Sequence, residues 1–176
     1  MKTLVIITHP NMEGSVVNRR WMEELKKYPE DFEIHQLYKA YPDEKINVLA
    51  EQRLMENFEK VVFQFPVYWY SSPPLLKKWF DEVLIYGWAF GSKSGYRLEN
   101  KKISIAVSLG SGKDEYTLEG HYGHTIDDLL VPFKLTFNYV KADYRPFFAA
   151  YGIDLHTSNN RIEESIQNYL DFLKSF

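Results

Sequence analysis

The chain has 176 residues, 45% of them hydrophobic and 26% charged, with a formal net charge of -3. That length supports a single domain, residues 1–176, with its own core, and the mild acidity excludes the basic face that nucleic-acid binding needs. With no cysteine in the chain, disulfides, thiolate metal sites and thiol catalysis are excluded. No apolar run approaches the roughly 20 residues of a membrane span. Met1-Lys2-Thr3 leads straight into a strand-like run, so a soluble cytoplasmic domain without a signal peptide is expected.

Leu4-Val5-Ile6-Ile7 reads as a buried first strand. The polar loop from Thr8 to Ser15 follows, with Ser15 placed to cap a helix over Val16–Tyr28. Phe32 to Tyr38 alternates apolar and polar, as a strand near a sheet edge does. A helix is expected over Asn47–Asn57, with Leu49, Leu54 and Phe58 inward.

The run Val61–Phe65 is a further buried strand, ended by Pro66. Ser71-Ser72-Pro73-Pro74 offers a hydroxyl cap and a first turn that tolerates missing N–H groups. Leu75, Leu76, Trp79, Phe80, Val83 and Leu84 then recur at helical spacing. Between strand and helix lie Val67, Tyr68, Trp69 and Tyr70. Apolar rings on a loop gain nothing unless covered, so they either pack under a neighbour or wall a flat ligand.

Residues 87–102 read as a long loop, Ile103–Val107 as a fourth strand, and 108–124 as a second long loop bearing Tyr116, His121, Tyr122 and His124. Thr125 caps a helix to about Val140, with Pro132 inside or breaking it. Arg145–Tyr151 is read as a fifth strand, and Asn160 onward as a last helix. His35, in a strand, and His156, in a late loop, read as structural or solvated.

Alternating strands and helices define an α/β domain with a parallel sheet covered on both faces. Five strands favour a doubly wound, flavodoxin-like sheet in the order 2-1-3-4-5. Ligands bind such sheets beyond the carboxyl ends of the strands, where residues 8–15, 66–72 and 108–124 converge. The first loop feeds a helix N-terminus, which attracts an anion such as a phosphate; the second presents flat rings. There is no G-x-x-x-x-G-K-[ST], no G-x-G-x-x-G after strand 1, no paired acids at its end and no H-E-x-x-H. P-loop, dinucleotide-fingerprint, receiver and metal readings therefore fall away, and flavin mononucleotide fits, with the amides of Val67, Tyr68 and Trp69 meeting the ring's polar atoms.

The segments HPNMEGSVVN, FPVYWYSSPPLLKKWFDEVLIYGWAFG and YTLEGHYG resemble the flavodoxin-like NAD(P)H:quinone oxidoreductases. The nearest type is the small bacterial group that includes the ancillary oxidoreductase of glutathione-gated potassium efflux; DT-diaphorase is the animal relative. The resemblance covers nearly the whole chain. It implies a flavin-binding homodimer, with the active site at the subunit interface, that reduces quinones by ping-pong hydride transfer from NAD(P)H. His9, Ser15, Val16, Val17 and Asn18 would hold the flavin phosphate. Pro66, Val67, Tyr68 and Trp69 would meet the ring, as would Ser108, Leu109, Gly110 and Ser111, where leucine and serine replace the family's smaller residues. Tyr116 and His121 would act beside the ring, although an ungapped alignment puts Tyr122 at the histidine's position, and His124 is a further candidate. FMN is favoured over FAD because the chain lacks the longer C-terminal part of FAD-using members. A regulatory role on a membrane transport protein, at the inner face of the cell membrane, is one rival. An electron carrier of flavodoxin type is the other, but such carriers are far more acidic.

Overall fold

A computed structural model describes residues 2–92, 95–153 and 157–175. His156 lies outside them. The elements, in order, are β1 (Thr3–Ile7), α1 (Val17–Leu25), β2 (Phe32–Gln36), α2 (Leu37–Ala40), α3 (Val48–Glu56) and β3 (Lys60–Pro66). They continue as α4 (Pro74–Val83), β4 (Lys102–Ser108), α5 (Ile126–Tyr139), β5 (Asp143–Tyr144), β6 (Phe148–Ala150) and α6 (Asn159–Ser175). The sheet runs β2-β1-β3-β4-β5, with β6 also on β4, and every pairing is parallel.

The apolar runs explain this arrangement. All five residues of β1 are buried, as are Val61 to Pro66 of β3 and Ile103 to Ser108 of β4. Strands shielded on both faces need no polar alternation. Leu4, Ile6, Val61, Phe63, Phe65, Ile103, Ile105 and Val107 join α4 and α5 in one core, while Val5, Ile7, Val62 and Ala106 join α1 and α6 in another. The period of two sorts each strand between the two layers. At the edge, β2 keeps only Phe32 buried.

Five expectations are corrected. β2 ends at Gln36, and Leu37–Ala40 turns into a short helix because Leu37 must fold under α4. The inward face of α3 is Glu51, Gln52 and Met55, while Leu49 is 65% exposed. The fifth strand is split at Pro146, which has no N–H for the ladder. Ser72 does not cap α4; its N-cap is Pro73, and the Leu75 N–H reaches Tyr38 Oη at 3.5 Å. Nor does Ser15 cap α1, whose N-cap is Val16 with no side-chain hydrogen bond. Helix α5 does run through Pro132, held by Phe133 and Phe137 in the core and started by a Thr125–Asp128 capping box.

Candidate active site

The carboxyl ends of β1, β3 and β4 meet at the switch in strand order, and a cavity of about 420 Å³ opens there. Its first wall is His9, Asn11 and Gly14 to Asn18; its second is Pro66 to Tyr68; Ser108, Gly110 and Ile153 close it.

The first wall is a helix terminus left open. The first-turn N–H groups of an α-helix have no intrahelical acceptor, and here no side chain caps them and no acid occupies the first turn. Asn11 Oδ1 accepts from the Gly14 N–H at 3.0 Å, and a Cβ at Gly14 would lie 2.5 Å from Asn11 Nδ2, so the loop closes tightly on glycine. The Asn11 N–H donates to His9 Nδ1 at 3.1 Å. That leaves the His9 proton on Nε2, free to donate. Burial lowers the His9 pKa below its ordinary value, so the ring is neutral at pH 7 while nothing anionic faces it.

The floor is spent on itself. Asn18 Nδ2 donates to Ser108 Oγ at 2.9 Å, Gln64 Nε2 to Asn18 Oδ1 at 3.2 Å, and Tyr169 Oη to Gln64 Oε1 at 3.0 Å. These groups tie α1, β3, β4 and α6 together beneath the cavity. The Asn18 side chain and the Ser108 hydroxyl are therefore structural, and Asn18 offers its backbone.

The second wall departs from expectation in two ways. Val67 N–H is already given to Ser108 O at 2.9 Å, and Tyr68 N–H to Ser71 O at 2.9 Å, so neither amide is available to a ring. Ser71 N–H returns to Tyr68 O at 3.0 Å, closing a two-residue turn with Trp69 at φ +49° and Tyr70 at φ +61°. Such turns favour Asn-Gly; two aromatic residues in the left-handed region cost roughly 1–2 kcal/mol each. Trp69 stands at the tip, 92% exposed, outside the cavity wall. Tyr68 lines the wall and meets His9 edge-on at 6.2 Å.

The third loop is folded back on a 3-10 turn, Lys113–Glu115. Gly120 is required there, since a Cβ would come within 2.4 Å of Asp114 O. An aromatic chain runs along it: Tyr70 to Tyr122 at 5.6 Å, Tyr122 to Tyr116 at 4.7 Å, and Tyr116 to Tyr151 at 5.9 Å. Tyr122 Oη and Ser111 Oγ lie 2.7 Å apart. Burial, then Tyr122, raises the Tyr116 pKa, keeping it a neutral donor. His121 is exposed and touches only the edge of Tyr122 at 4.9 Å; His124 lies 3.9 Å from Asp128. Leu109 is buried, its N–H given to Ala150 O at 2.9 Å. Gly110 and Ser111 keep unpaired N–H groups among the described residues.

The structure thus brings most of the expected residues to one cavity, sets Trp69, Leu109, Ser111, Tyr116 and His121 beyond its wall, and adds Asn11, Gly14 and Ile153. Tyr122, at the ungapped position of the family histidine, joins the tyrosine cluster. Among the described residues no three His, Cys, Asp or Glu side chains form a metal-binding group, and no helix is long and apolar enough to cross a membrane.

A family profile for the flavodoxin-like fold matches residues 1–173. The chain is 46% identical over 175 residues to the NAD(P)H oxidoreductase YrkL of Bacillus subtilis (strain 168), covering 99% of each. It is 40% identical over 146 residues to the glutathione-regulated potassium-efflux system ancillary protein KefF of Salmonella arizonae, covering 83% of this chain and 81% of that one. The structure of general stress protein 14 from Treponema denticola in complex with FMN superposes with a TM-score of 0.94 at 43% identity, over 99% of both chains. An NADPH-quinone reductase from P. pentosaceus superposes at 0.87, with 28% identity over 98% of both. The chain belongs to the flavodoxin-like family.

Proposed function

We propose that the chain is an FMN-dependent NAD(P)H:quinone oxidoreductase working by ping-pong two-electron transfer. The observation that carries this is the pairing, across one cavity, of an uncapped helix N-terminus with the Pro66–Tyr68 wall and its Tyr68 ring. Bound FMN would supply the two-electron redox chemistry. The chain's own groups divide the binding. The Val16, Val17 and Asn18 N–H groups and His9 Nε2–H hold the phosphate beside Ser15. Pro66, Val67 and Tyr68 flank the ring through side-chain and carbon contact, and the Gly110 and Ser111 amides are the unpaired donors at its edge. Tyr116 stays protonated to donate, with His121 at the mouth. Trp69 covers the outer face, where reductant and acceptor take turns.

FMN is favoured over FAD because the cavity holds one phosphate site, the α1 N-terminus, beside the Pro66–Tyr68 wall. The FMN-bound relative of known structure supports the same choice. The assembly we propose is a homodimer: a groove of about 650 Å³ between α4 and α5 is lined by Phe80, Leu84, Phe90 and Tyr139, with Leu135 and Tyr139 exposed. Exposed apolar side chains gathered on one groove suit a contact with a second copy of the chain. A second role, as the ancillary subunit of a potassium-efflux transport protein at the inner face of the membrane, is supported by the likeness to KefF. Otherwise the site of action is the cytoplasm.

The test is a visible spectrum of purified protein, followed by anaerobic mixing with NADPH and then menadione. The flavin band should bleach and then return. Protein that carries no flavin and binds none on titration would end this reading.

A further inference from the structure

The break in the fifth strand creates a second polar cavity. Pro146 ends β5, and the chain rejoins the sheet at Phe148. Ser104 Oγ donates to Pro146 O at 2.6 Å and Arg145 N–H to Ile103 O at 2.8 Å, fixing the crossover. One face of α5, Asp127, Leu130 and Lys134, lies over it and encloses about 360 Å³ with Tyr144 to Phe147.

Its polar lining is dominated by donors. Lys134 makes no ion pair among the described residues. Arg145 gives Nη1 to Asp143 at 3.4 Å, while its Nε is buried with no partner, as is Tyr144 Oη. Burial, then the charge of Asp127, pushes Tyr144 up to about 12, so its hydroxyl stays protonated. Buried donors without acceptors are rare in native structures and costly. The only carboxylate in the lining is Asp127; Leu130, Pro146 and Phe147 give apolar walls.

We propose that this cavity binds a phosphomonoester carried on a hydroxylated ring, a ribonucleotide or phosphorylated sugar. Its phosphate oxygens accept from Arg145 Nε, Tyr144 Oη and Lys134, as charge-assisted bonds require. Asp127 accepts from a ligand hydroxyl and disfavours a bare anion. Two sources present this chemistry: the 2′-phosphate tail of the reductant, an arm that rests on the oxidoreductase reading, or a free phosphorylated metabolite that regulates the protein.

The test is calorimetric titration of the flavin-loaded protein with 2′-AMP, 5′-AMP and inorganic phosphate, repeated on R145M and Y144F. At least one nucleotide should bind more tightly than inorganic phosphate, and R145M should weaken it by about tenfold or more with the flavin spectrum unchanged. No binding of either nucleotide, or equal binding in a spectrally intact R145M, overturns the proposal. Should R145M fail to fold, Y144F decides: weaker binding supports the site and unchanged binding overturns it. Where binding holds, a KM in R145M raised for NADPH and not for NADH assigns the site to the reductant, and both KM values unchanged assign it to a free ligand. Binding is read without turnover, so loss of the quinone-reductase reading leaves it standing.

Discussion

Two polar centres in this protein are built to opposite rules. Beneath α4, the Glu51 carboxylate is 1% exposed and fully engaged: Tyr41 Oη at 2.6 Å, Trp79 Nε1 at 2.7 Å and His35 Nε2 at 2.8 Å. At the strand ends, an uncapped helix faces a desolvated His9, the buried Thr8 hydroxyl has no partner among the described residues, and two residues sit at positive φ. The first centre is complete as protein. The second is left open, which is sensible only if a ligand completes it, and strain of that kind gathers at functional sites.

The largest effect should come from breaking the closed centre. Glu51→Ala strands one buried and two part-buried donors and should cost on the order of 3–5 kcal/mol, read as a lower Tm. Burial pushes the Glu51 pKa up, but the His35, Tyr41 and Trp79 hydrogen bonds outweigh it and the net shift is downward. A depressed carboxylate stabilises the fold above its unfolded pKa. That contribution should be lost as the pH falls below the ordinary value of 4.5 and through the lower folded pKa. Acid denaturation curves of wild type and Glu51→Gln should therefore converge at low pH.

Next is the floor of the open centre. Asn18→Ala removes the donor to Ser108 Oγ, while Gln64 keeps the Asn18 carbonyl and Tyr169 Oη, and should cost about 1–3 kcal/mol, with weaker FMN binding in a fluorescence titration.

Trp69→Gly should act in the reverse sense. Relieving one left-handed residue should raise stability by up to about 1 kcal/mol, since an indole this exposed packs on little, while turnover with a quinone falls.

The smallest effect is on His9. Its depressed pKa means that flavin-free protein loses stability as the pH falls from the ordinary 6.5 through the folded value. His9→Asn should flatten that slope in a series of melts.

The sheet order was legible because β1, β3 and β4 are short, mostly apolar runs between helical periods, a pattern that a doubly wound sheet of this size accommodates. The open helix terminus was also legible, though credited to a Ser15 cap that does not form. What escaped were facts of register and surface. Pairing of Pro66 with Ser108 consumes the Val67 amide, and no local pattern reveals a partner 42 residues away. The inward turn of Glu51 defied polarity, because its three donors come from α4, β2 and the segment after α2. The place of Tyr122 in the ring cluster depends on how Gly120 folds the third loop.

The central claim is that the α1 N-terminus holds a flavin phosphate, and the direct measurement is a comparison of FMN with riboflavin binding to flavin-free protein. FMN should bind at one per chain, at least about tenfold more tightly than riboflavin. Equal affinities, or no binding of either, would contradict the account.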